Sequence, residues 1–253
     1  TFDDCQSIVK ELFADKALVS DVNLSGVNSI NWARILVQIV YYFSAFYQLN
    51  DLFEGKLSFS VPTGNFGDAY AGFIAKRMGL PINKIIVATN TNDILDRVFK
   101  TGVYKSDIVR KTFSPSMDIQ VASNFERLLF DLLNNDAKVV GKLMNDLSKK
   151  GHFNLEKSIL TLISKDFDSG MVTDKDTMTT INHFFNKRDI TLCPHSAIGV
   201  RVAKDFVDTG ETVVSLGTAH PAKFKETVEQ ALDTSISIPM KLQSIMEKQE
   251  SVR

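Results

Sequence analysis

The sequence predicts an α/β fold in which helices flank a mostly parallel sheet. Two stretches carry this prediction, because in each a strand-like segment is followed at once by a helix-like one. Apolar and polar residues alternate from Leu57 to Val61, and the apolar residues after them recur with a helical period. A buried strand over 84–88, a turn over 90–92 and a helix over 93–100 then repeat this order.

The composition narrows the class of protein. With 44% hydrophobic and 23% charged residues, the 253-residue chain has the make-up of a core-forming protein of one large or two modest domains. Lys and Arg total 29 against 30 Asp and Glu, so no nucleic-acid-binding surface is indicated. The longest apolar run, 35–43, is too short to cross a bilayer.

The cysteines and the first residues indicate a compartment. Cys5 and Cys193 are too few for a disulfide framework or a zinc site, which favours a reducing, cytoplasmic setting. The chain opens at Thr1 without a methionine, a basic region or an apolar signal core. We therefore expect it to begin in mid-protein or to have been processed.

The first 55 residues are expected to be mainly helical. An amphipathic helix is predicted over 2–13, and residues 17–24 are expected to form a loop. Four polar residues then precede a long apolar helix: Asn28, Ser29, Asn31 and Arg34. One interpretation is helix capping with a solvated arginine. The other is a pocket wall in which Arg34 holds an anion.

The turn between the first strand and its helix is the centre of the functional prediction: Gly64, Asn65, Phe66, Gly67 and Asp68. A helix N-terminus has unpaired N–H groups and partial positive charge, which suit a bound oxyanion. The two glycines allow positive φ and close backbone approach. Asn65 can donate from its amide, and Asp68 can cap the helix. Because the loop lacks the lysine and spacing of known nucleotide motifs, an ordinary strand-to-helix turn is the alternative.

Two later turns hold further polar candidates. The turn before a helix over 197–207 contains His195, which is either a general base or a structural residue. A short strand over 212–216 ends in a turn that contains Thr218 and His220. Because parallel sheets bind ligands at the carboxyl ends of their strands, both side chains are placed to reach a site. Turn and helix capping is the alternative for both.

Seven stretches taken together resemble threonine synthase, a pyridoxal-phosphate enzyme. They follow the family's order: FDDCQ, VNSINWARI, VPTGNFGD, IIVATNTNDILDR, SMDIQVASNFERLLF, PHSAIGV and TAHPAKF. The resemblance implies fold type II of these enzymes, with the cofactor between two α/β domains. Residues 1-55 would then belong to the smaller, cofactor-facing domain and its linking helix. Residues 56-253 would form the larger domain, with a helical insert around 134-180.

The resemblance also implies roles for single residues. The phosphate of pyridoxal 5'-phosphate would be bound by Gly64, Asn65, Phe66, Gly67 and Asp68. Thr218 would hydrogen-bond the pyridine nitrogen. The substrate, O-phospho-L-homoserine, carries a phosphate and a carboxylate, so a second anion site is required. Its candidates are Asn28, Ser29, Asn31 and Arg34.

The catalytic lysine is expected outside this chain. In the family, the Schiff-base lysine lies in a segment before the matched part, and no lysine here occupies a corresponding motif. The chain therefore resembles the C-terminal portion of an enzyme that converts O-phospho-L-homoserine and water to L-threonine and phosphate. Alone, it is expected to be inactive. Two alternatives stay open: a catalytically dead module that binds a phosphate ligand, and another fold type II lyase such as a dehydratase.

Overall fold

The computed structural model describes residues 2–26, 28–246 and 248–249, so Val27 of the VNSINWARI stretch lies outside it. The α-helices are α1 (Phe2–Ala14), α2 (Lys16–Val22), α3 (Trp32–Leu49), α4 (Gly67–Arg77), α5 (Ile94–Thr101), α6 (Phe125–Leu132), α7 (Ala137–Lys150), α8 (Lys157–Asp166), α9 (Asp174–Arg188), α10 (Pro194–Val207), α11 (Lys225–Leu232) and α12 (Met240–Met246). The strands are β1 (Leu57–Pro62), β2 (Ile82–Thr89), β3 (Val103–Lys105), β4 (His152–Asn154), β5 (Phe167–Met171) and β6 (Thr212–Ser215). Short 3-10 helices cover Asn50–Leu52, Pro115–Met117 and Pro221–Phe224.

The central sheet has four parallel strands in the order β5, β2, β1, β6. Ser60 of β1 pairs with Ile86 on one side and with Ser215 on the other. Every residue of β1 is buried, as expected for a strand covered on both faces. The predicted α/β fold with a parallel sheet is confirmed. A small antiparallel pair, β3 with β4, lies apart from this sheet.

Helices cover both faces of the sheet. Ile85 and Val87 of β2 belong to the main core, together with residues of α4, α5, α6 and α8. Ile86 and Ala88, which point the other way, pack with Ile198 of α10 in a second cluster. This alternation follows from the two-residue period of a strand. Because β1 and β6 pair in parallel, their carboxyl ends lie side by side, between α4 and α10.

The long helix α3 has two unlike faces. Ile35, Ile39 and Tyr42 are buried, and the Tyr42 ring packs 4.9 Å from the Phe59 ring of β1. The opposite face exposes several large apolar side chains: Leu36, Val37, Val40 and Tyr47. Within the described residues, no helix combines the length and apolar character that a membrane span requires.

Two local expectations are wrong. Residues 17–24, expected to be a loop, contain α2, because the Asp15 carboxylate accepts hydrogen bonds from the N–H groups of Ala17 and Leu18 and so caps a helix. The stretch 134–180 is not helical throughout, since β5 forms an edge strand of the central sheet. Because the stretch is rich in charged residues, its pattern did not predict this short strand, which is buried at Phe167 and Ser169.

Candidate functional site

The turn over residues 64–68, here called the glycine loop, connects the end of β1 to the start of α4, as the sequence predicts. The positive φ, however, is at Phe66 (+66°) and at neither glycine of the loop. A left-handed conformation costs a non-glycine residue of order 1 kcal/mol. The Phe66 ring offsets this cost, because it is buried among the rings of Phe99, Phe125 and Phe167 at centroid distances of 6.1, 5.7 and 5.6 Å.

The two glycines serve close packing. A Cβ on Gly64 would lie 2.9 Å from Ile119 Cδ1 and 3.0 Å from the carbonyl oxygen of Ser116. A Cβ on Gly67 would lie 3.1 Å from Ser29 Cβ. Close packing against the protein therefore excludes a side chain at both glycines, and neither uses the positive φ that glycine allows. Close approach of an oxyanion to their backbone stays a prediction.

The wall behind Gly64 is held by a half-buried carboxylate that the sequence did not single out. Asp118 Oδ1 accepts hydrogen bonds from Asn90 Nδ2 at 2.8 Å, Asn92 Nδ2 at 3.0 Å and Thr112 Oγ1 at 2.7 Å. These bonds fix the 3-10 helix over Pro115–Met117 against the glycine loop. The signal in the sequence was the cluster of Asn and Thr residues after β2, which we took only as a turn.

The glycine loop presents unpaired donors. Within the part of the chain that the structure describes, no residue accepts a hydrogen bond from the backbone N–H of residues 64–67. The loop lines a cavity of about 610 Å³ together with Asn28, Ser29 and Arg34. Unpaired N–H groups at a helix N-terminus are suited to an anion. This part of the structure therefore fits the predicted oxyanion site.

Of the four polar residues before α3, three line that cavity: Asn28, Ser29 and Arg34. Asn31 does not line it, because its side-chain amide is hydrogen-bonded to the backbone on either side of it. Asn31 Nδ2 donates to the Gly26 carbonyl at 2.7 Å, and its Oδ1 accepts from the Ala33 N–H at 3.0 Å. Asn31 thus caps α3, which is the structural interpretation considered for it.

Gln38 is a cavity residue that the sequence did not identify. One turn after Arg34 on α3, it lines the 610 Å³ cavity and a neighbouring cavity of about 750 Å³ that also contains Thr218. Its Oε1 is buried without a hydrogen-bond partner among the described residues. A buried acceptor without a partner favours a ligand donor at this position. The signal was a single polar residue inside the apolar run 35–43.

Asp68 does not cap α4 as expected. The Tyr42 hydroxyl donates to its carbonyl oxygen at 2.9 Å and to its Oδ1 at 3.1 Å, and Phe66 occupies the capping position. Burial raises the pKa of the Asp68 carboxyl to about 6, although hydrogen bonds from Tyr42 and Tyr41 oppose the rise. Burial beside this carboxyl also raises the pKa of both tyrosine hydroxyls. Asp68 therefore loses its proton at a higher pH than an exposed aspartate does.

Thr218 lies just beyond the carboxyl end of β6, as predicted. It shares a cavity of about 200 Å³ with Gly64, and the 750 Å³ cavity with Asp68. Its Oγ1 lies 3.3 Å from Cys193 Sγ and 3.2 Å from Ser196 Oγ, and its N–H donates to Ser196 Oγ at 3.0 Å. The thiol and two hydroxyls form a triangle, because Ser196 Oγ also lies 3.2 Å from the sulfur.

The thiol of this triangle is acidic. Cys193 is buried and caps the N-terminus of α10, where its sulfur accepts from the Ser196 N–H at 3.4 Å. Burial raises the pKa of the thiol, but hydrogen bonding with His195, Ser196 and Thr218 outweighs burial and lowers it to about 6. Helix N-termini favour a thiolate in the same way.

The two histidines accept hydrogen bonds from backbone N–H groups beside the cavities. His195 is 3% exposed; its Nε2 accepts from the Ser116 N–H at 3.2 Å, and its ring packs 4.5 Å from that of Phe224. His220 Nδ1 accepts from the Ala222 N–H at 3.1 Å and caps a 3-10 helix. His195 therefore supports the wall behind the glycine loop through Nε2, while its buried Nδ1 has no hydrogen-bond partner within normal distance among the described residues. Its role as a general base stays a prediction.

The geometry suits an elongated ligand with two different ends. The cavities of about 610 and 200 Å³ share the wall residues Pro62, Gly64 and Ser116; the rest of the glycine loop lines the first, and Thr218 lines the second. An oxyanion fits the first end and a polar ring atom fits the second. The described residues contain no cluster of side chains that could hold a metal ion.

Known sequences resemble this chain closely. A family profile described as "Threonine synthase, C-terminal" matches residues 196–253. The threonine synthase of Pseudomonas aeruginosa is 46% identical over 251 residues, which cover 98% of this chain and 53% of that protein. The threonine synthase of Saccharomyces cerevisiae is 48% identical over 252 residues, 92% of this chain and 49% of that protein. The chain spans about half the length of the curated relatives it matches.

Solved structures share the fold. A structure titled as PLP-bound threonine synthase from Brucella melitensis has a TM-score of 0.90 at 47% identity, covering 99% of this chain and 54% of that chain. Yeast threonine synthase has a TM-score of 0.88 at 42% identity, with the same coverage. A maize serine racemase, at 12% identity and a TM-score of 0.51, is similar in fold alone.

Proposed function

We propose that the chain belongs to the threonine synthase family, over the half of those proteins that it covers, and that the whole protein converts O-phospho-L-homoserine and water to L-threonine and phosphate. The family resemblance predicted from the sequence is confirmed. The observation that carries the proposal is the pair of connected cavities, with unpaired N–H groups at the glycine loop and the Thr218 hydroxyl opposite.

The residues present fit pyridoxal 5'-phosphate. The phosphate would be held by the glycine loop: Gly64, Asn65, Phe66, Gly67 and Asp68. Support comes from the unpaired N–H groups and from glycines whose Cβ positions are taken by neighbouring atoms. Thr218 would hydrogen-bond the ring nitrogen, with its hydroxyl oriented by Cys193 and Ser196. When bound, the cofactor supplies an electron sink, and the protein supplies orientation.

The substrate anions would bind beside the glycine loop. Asn28, Ser29 and Arg34 line the same cavity and supply an amide, a hydroxyl and a guanidinium. The planar guanidinium suits a phosphate or carboxylate through two parallel hydrogen bonds. Gln38 joins this group through its buried Oε1, which can accept a hydrogen bond from a substrate ammonium. Asn31 lies outside this cavity, and its amide makes one hydrogen bond at each end within the chain, so its contribution to substrate binding stays a prediction.

The proposal includes parts of the protein that this chain lacks. A Schiff-base lysine outside residues 1–253 would complete the site, and the chain alone would be inactive. Residues 1-55 would belong to the smaller domain and its linking helix; the exposed apolar face of α3 supports a contact with further protein. A cytoplasmic location is consistent with the exposed free thiol of Cys5.

The test uses the full-length protein. Incubation with O-phospho-L-homoserine should release threonine and inorganic phosphate in equal amounts. Borohydride reduction in the presence of pyridoxal phosphate should attach the cofactor to a lysine outside residues 1–253. Because Lys223 lines the cavity that holds Thr218, the variant Lys223→Ala is the control and should keep the modification.

Three results would contradict the proposal. Cofactor binding without any modified lysine would favour the catalytically dead module. Release of ammonia from serine or threonine, with no reaction of the phosphate ester, would favour a dehydratase. Modification of Lys223 itself would show that the chain carries its own catalytic amine.

A further inference from the structure

Asn124, the residue before α6, lies where three segments meet. Its backbone N–H and its side-chain Nδ2 both donate to the carbonyl oxygen of Asn65, each at 3.0 Å. The same Nδ2 lies 3.1 Å from Ser29 Oγ. With 1% of its surface exposed, Asn124 joins the glycine loop to residues 28–34, here called the polar segment, inside the protein.

Arg127, one helical turn further along, extends this junction. Its Nε donates to Asn124 Oδ1 at 2.9 Å, and a terminal nitrogen donates to the Ile30 carbonyl oxygen at 2.7 Å. The guanidinium carbon lies 5.6 Å from the centroid of the Trp32 ring, at the first residue of α3. Arg127 therefore orients the Asn124 amide and holds the polar segment at the same time.

The glycine loop and the polar segment also touch directly. The position that a Cβ of Gly67 would take is 3.1 Å from Ser29 Cβ and 3.4 Å from Asn124 Nδ2. Hydrogen bonds within the polar segment run on from there: the Ile30 N–H donates to Asn28 Oδ1, and the Arg34 N–H donates to the Asn31 carbonyl. A shift of one segment must therefore displace the other.

We propose that Asn124 and Arg127 are positioning residues that couple the two segments, so that an anion bound at the glycine loop fixes the polar segment for a second anion. The inference rests on the proposed function for the identity of the anions, which are the phosphate of the cofactor and an anionic group of the substrate. Neither residue lines the cavity of about 610 Å³, so both act through the residues they hold.

The physical basis is linkage. The Asn124 amide uses Oδ1 for Arg127 and Nδ2 for both segments, so it has a single favourable orientation. An anion that orders the Asn65 backbone removes part of the freedom of Ser29 and Ile30 as well. The second anion then binds a segment that is already ordered, and by reciprocity it strengthens the first.

Hydrogen exchange of the full-length protein without cofactor tests the coupling. Inorganic phosphate, used as the probe for the glycine loop, should slow amide exchange in residues 28–34 by roughly fivefold or more, the usual lower range of coupling between sites. In Arg127→Ala this slowing should be lost. In Arg127→Lys it should return only in part, because one ammonium group cannot reproduce the fork that reaches both Asn124 and Ile30.

Arg77→Ala is the matched control. Arg77 also contacts α6, through Asp131 at 3.0 Å, and also lies over a ring, that of Phe73 at 5.7 Å. It touches neither segment, so phosphate should slow exchange in Arg77→Ala as in the wild type. A merely structural role of Arg127 would speed exchange with and without phosphate and leave the slowing by phosphate intact.

Two results would overturn the coupling. The first is slowing by phosphate that persists in Arg127→Ala. The second is wild-type protein in which phosphate has no effect on residues 28–34, whether or not the protein makes threonine. The threonine assay decides the proposed function separately, so the two failures can be told apart.

Discussion

The glycine loop and the turn that holds Thr218, at the two ends of the candidate site, are built in different ways. The glycine loop end depends on backbone groups and close packing: N–H donors, two glycines and a buried phenylalanine ring. The Thr218 end depends on side-chain protons, which Cys193, Ser196 and Thr218 share across distances of 3.2–3.3 Å. The first end presents fixed backbone donors, whereas the second can redistribute its protons without moving its heavy atoms.

Their acid–base properties also differ. Burial raises the pKa of Asp68 beside the loop to about 6, whereas hydrogen bonding lowers that of Cys193, against the effect of burial, to about 6. The carboxyl and the thiol thus titrate in the same pH range, the first shifted upwards by burial and the second downwards by hydrogen bonding. Burial therefore determines the protonation of Asp68 beside the loop, and hydrogen bonding determines that of Cys193 beside Thr218.

Gly64→Ala should have the largest effect, because it tests the packed end. The new Cβ meets backbone atoms of Ser116 and Met117, and such overpacking costs about 1–3 kcal/mol of the free energy of unfolding. Affinity of the full-length protein for pyridoxal phosphate should fall roughly 10- to 100-fold, or about 1.4–2.8 kcal/mol.

Gly141→Ala is the control for this change. Gly141 is in the middle of α7, and nothing lies within 4 Å of its Cβ position. Alanine should stabilise the helix there by about 0.5–1 kcal/mol and leave cofactor affinity unchanged. Equal losses of affinity in both variants would show that the loop glycine is not required for packing.

The second prediction concerns Asp68. Because its pKa is higher in the folded protein, the folded state binds the proton more tightly than the unfolded state. Relative to Asp68→Asn, wild-type stability should be greatest below pH 3.8 and should fall as the pH rises towards about 6. Each unit of pKa shift corresponds to about 1.4 kcal/mol. Urea unfolding of both full-length proteins across this range measures the difference; parallel curves would contradict the assignment.

Cys193→Ser should give an effect of opposite sign, at higher pH. The thiol pKa is lower in the folded protein, so the unfolded state binds the proton more tightly. Wild-type stability relative to the variant should therefore rise between pH about 6 and 9.0, and this contribution is lost as the pH falls through about 6. Cys5→Ser, at an exposed cysteine, should show no such difference. A stability difference that does not change with pH would mean that Cys193 acts by packing alone.

Ser196→Ala should have the smallest effect. The variant removes the acceptor of the Thr218 N–H and one partner of the sulfur, at a cost of about 1 kcal/mol of unfolding free energy. The pKa of Cys193 should rise, which thiol titration of the full-length protein would detect. Ser158→Ala, at an exposed serine bonded to Glu156, provides the comparison, and an unchanged thiol pKa would exclude Ser196 from the triangle.

The sequence predicts the site where the signals are local. The glycine loop and Thr218 follow strands whose two-residue period is visible in a few neighbouring residues. Partners distant in sequence were missed: Asp118, which holds the wall behind Gly64, and Asn124, 59 residues from Asn65. The positive φ of Phe66 could not be predicted for the same reason, since three rings distant in sequence stabilise it.

Phe66 belongs both to the glycine loop and to the hydrophobic core, and this has a consequence for genetic screens. Its backbone forms the loop, while its ring touches those of Phe99, Phe125 and Phe167. Alleles that shrink any of these rings would relax the left-handed turn, although none of the three lines the cavity beside the loop. Under the proposed function, a screen for loss of threonine production should therefore recover mutations in core phenylalanines, and extra cofactor in the medium should rescue them better than mutations of Thr218.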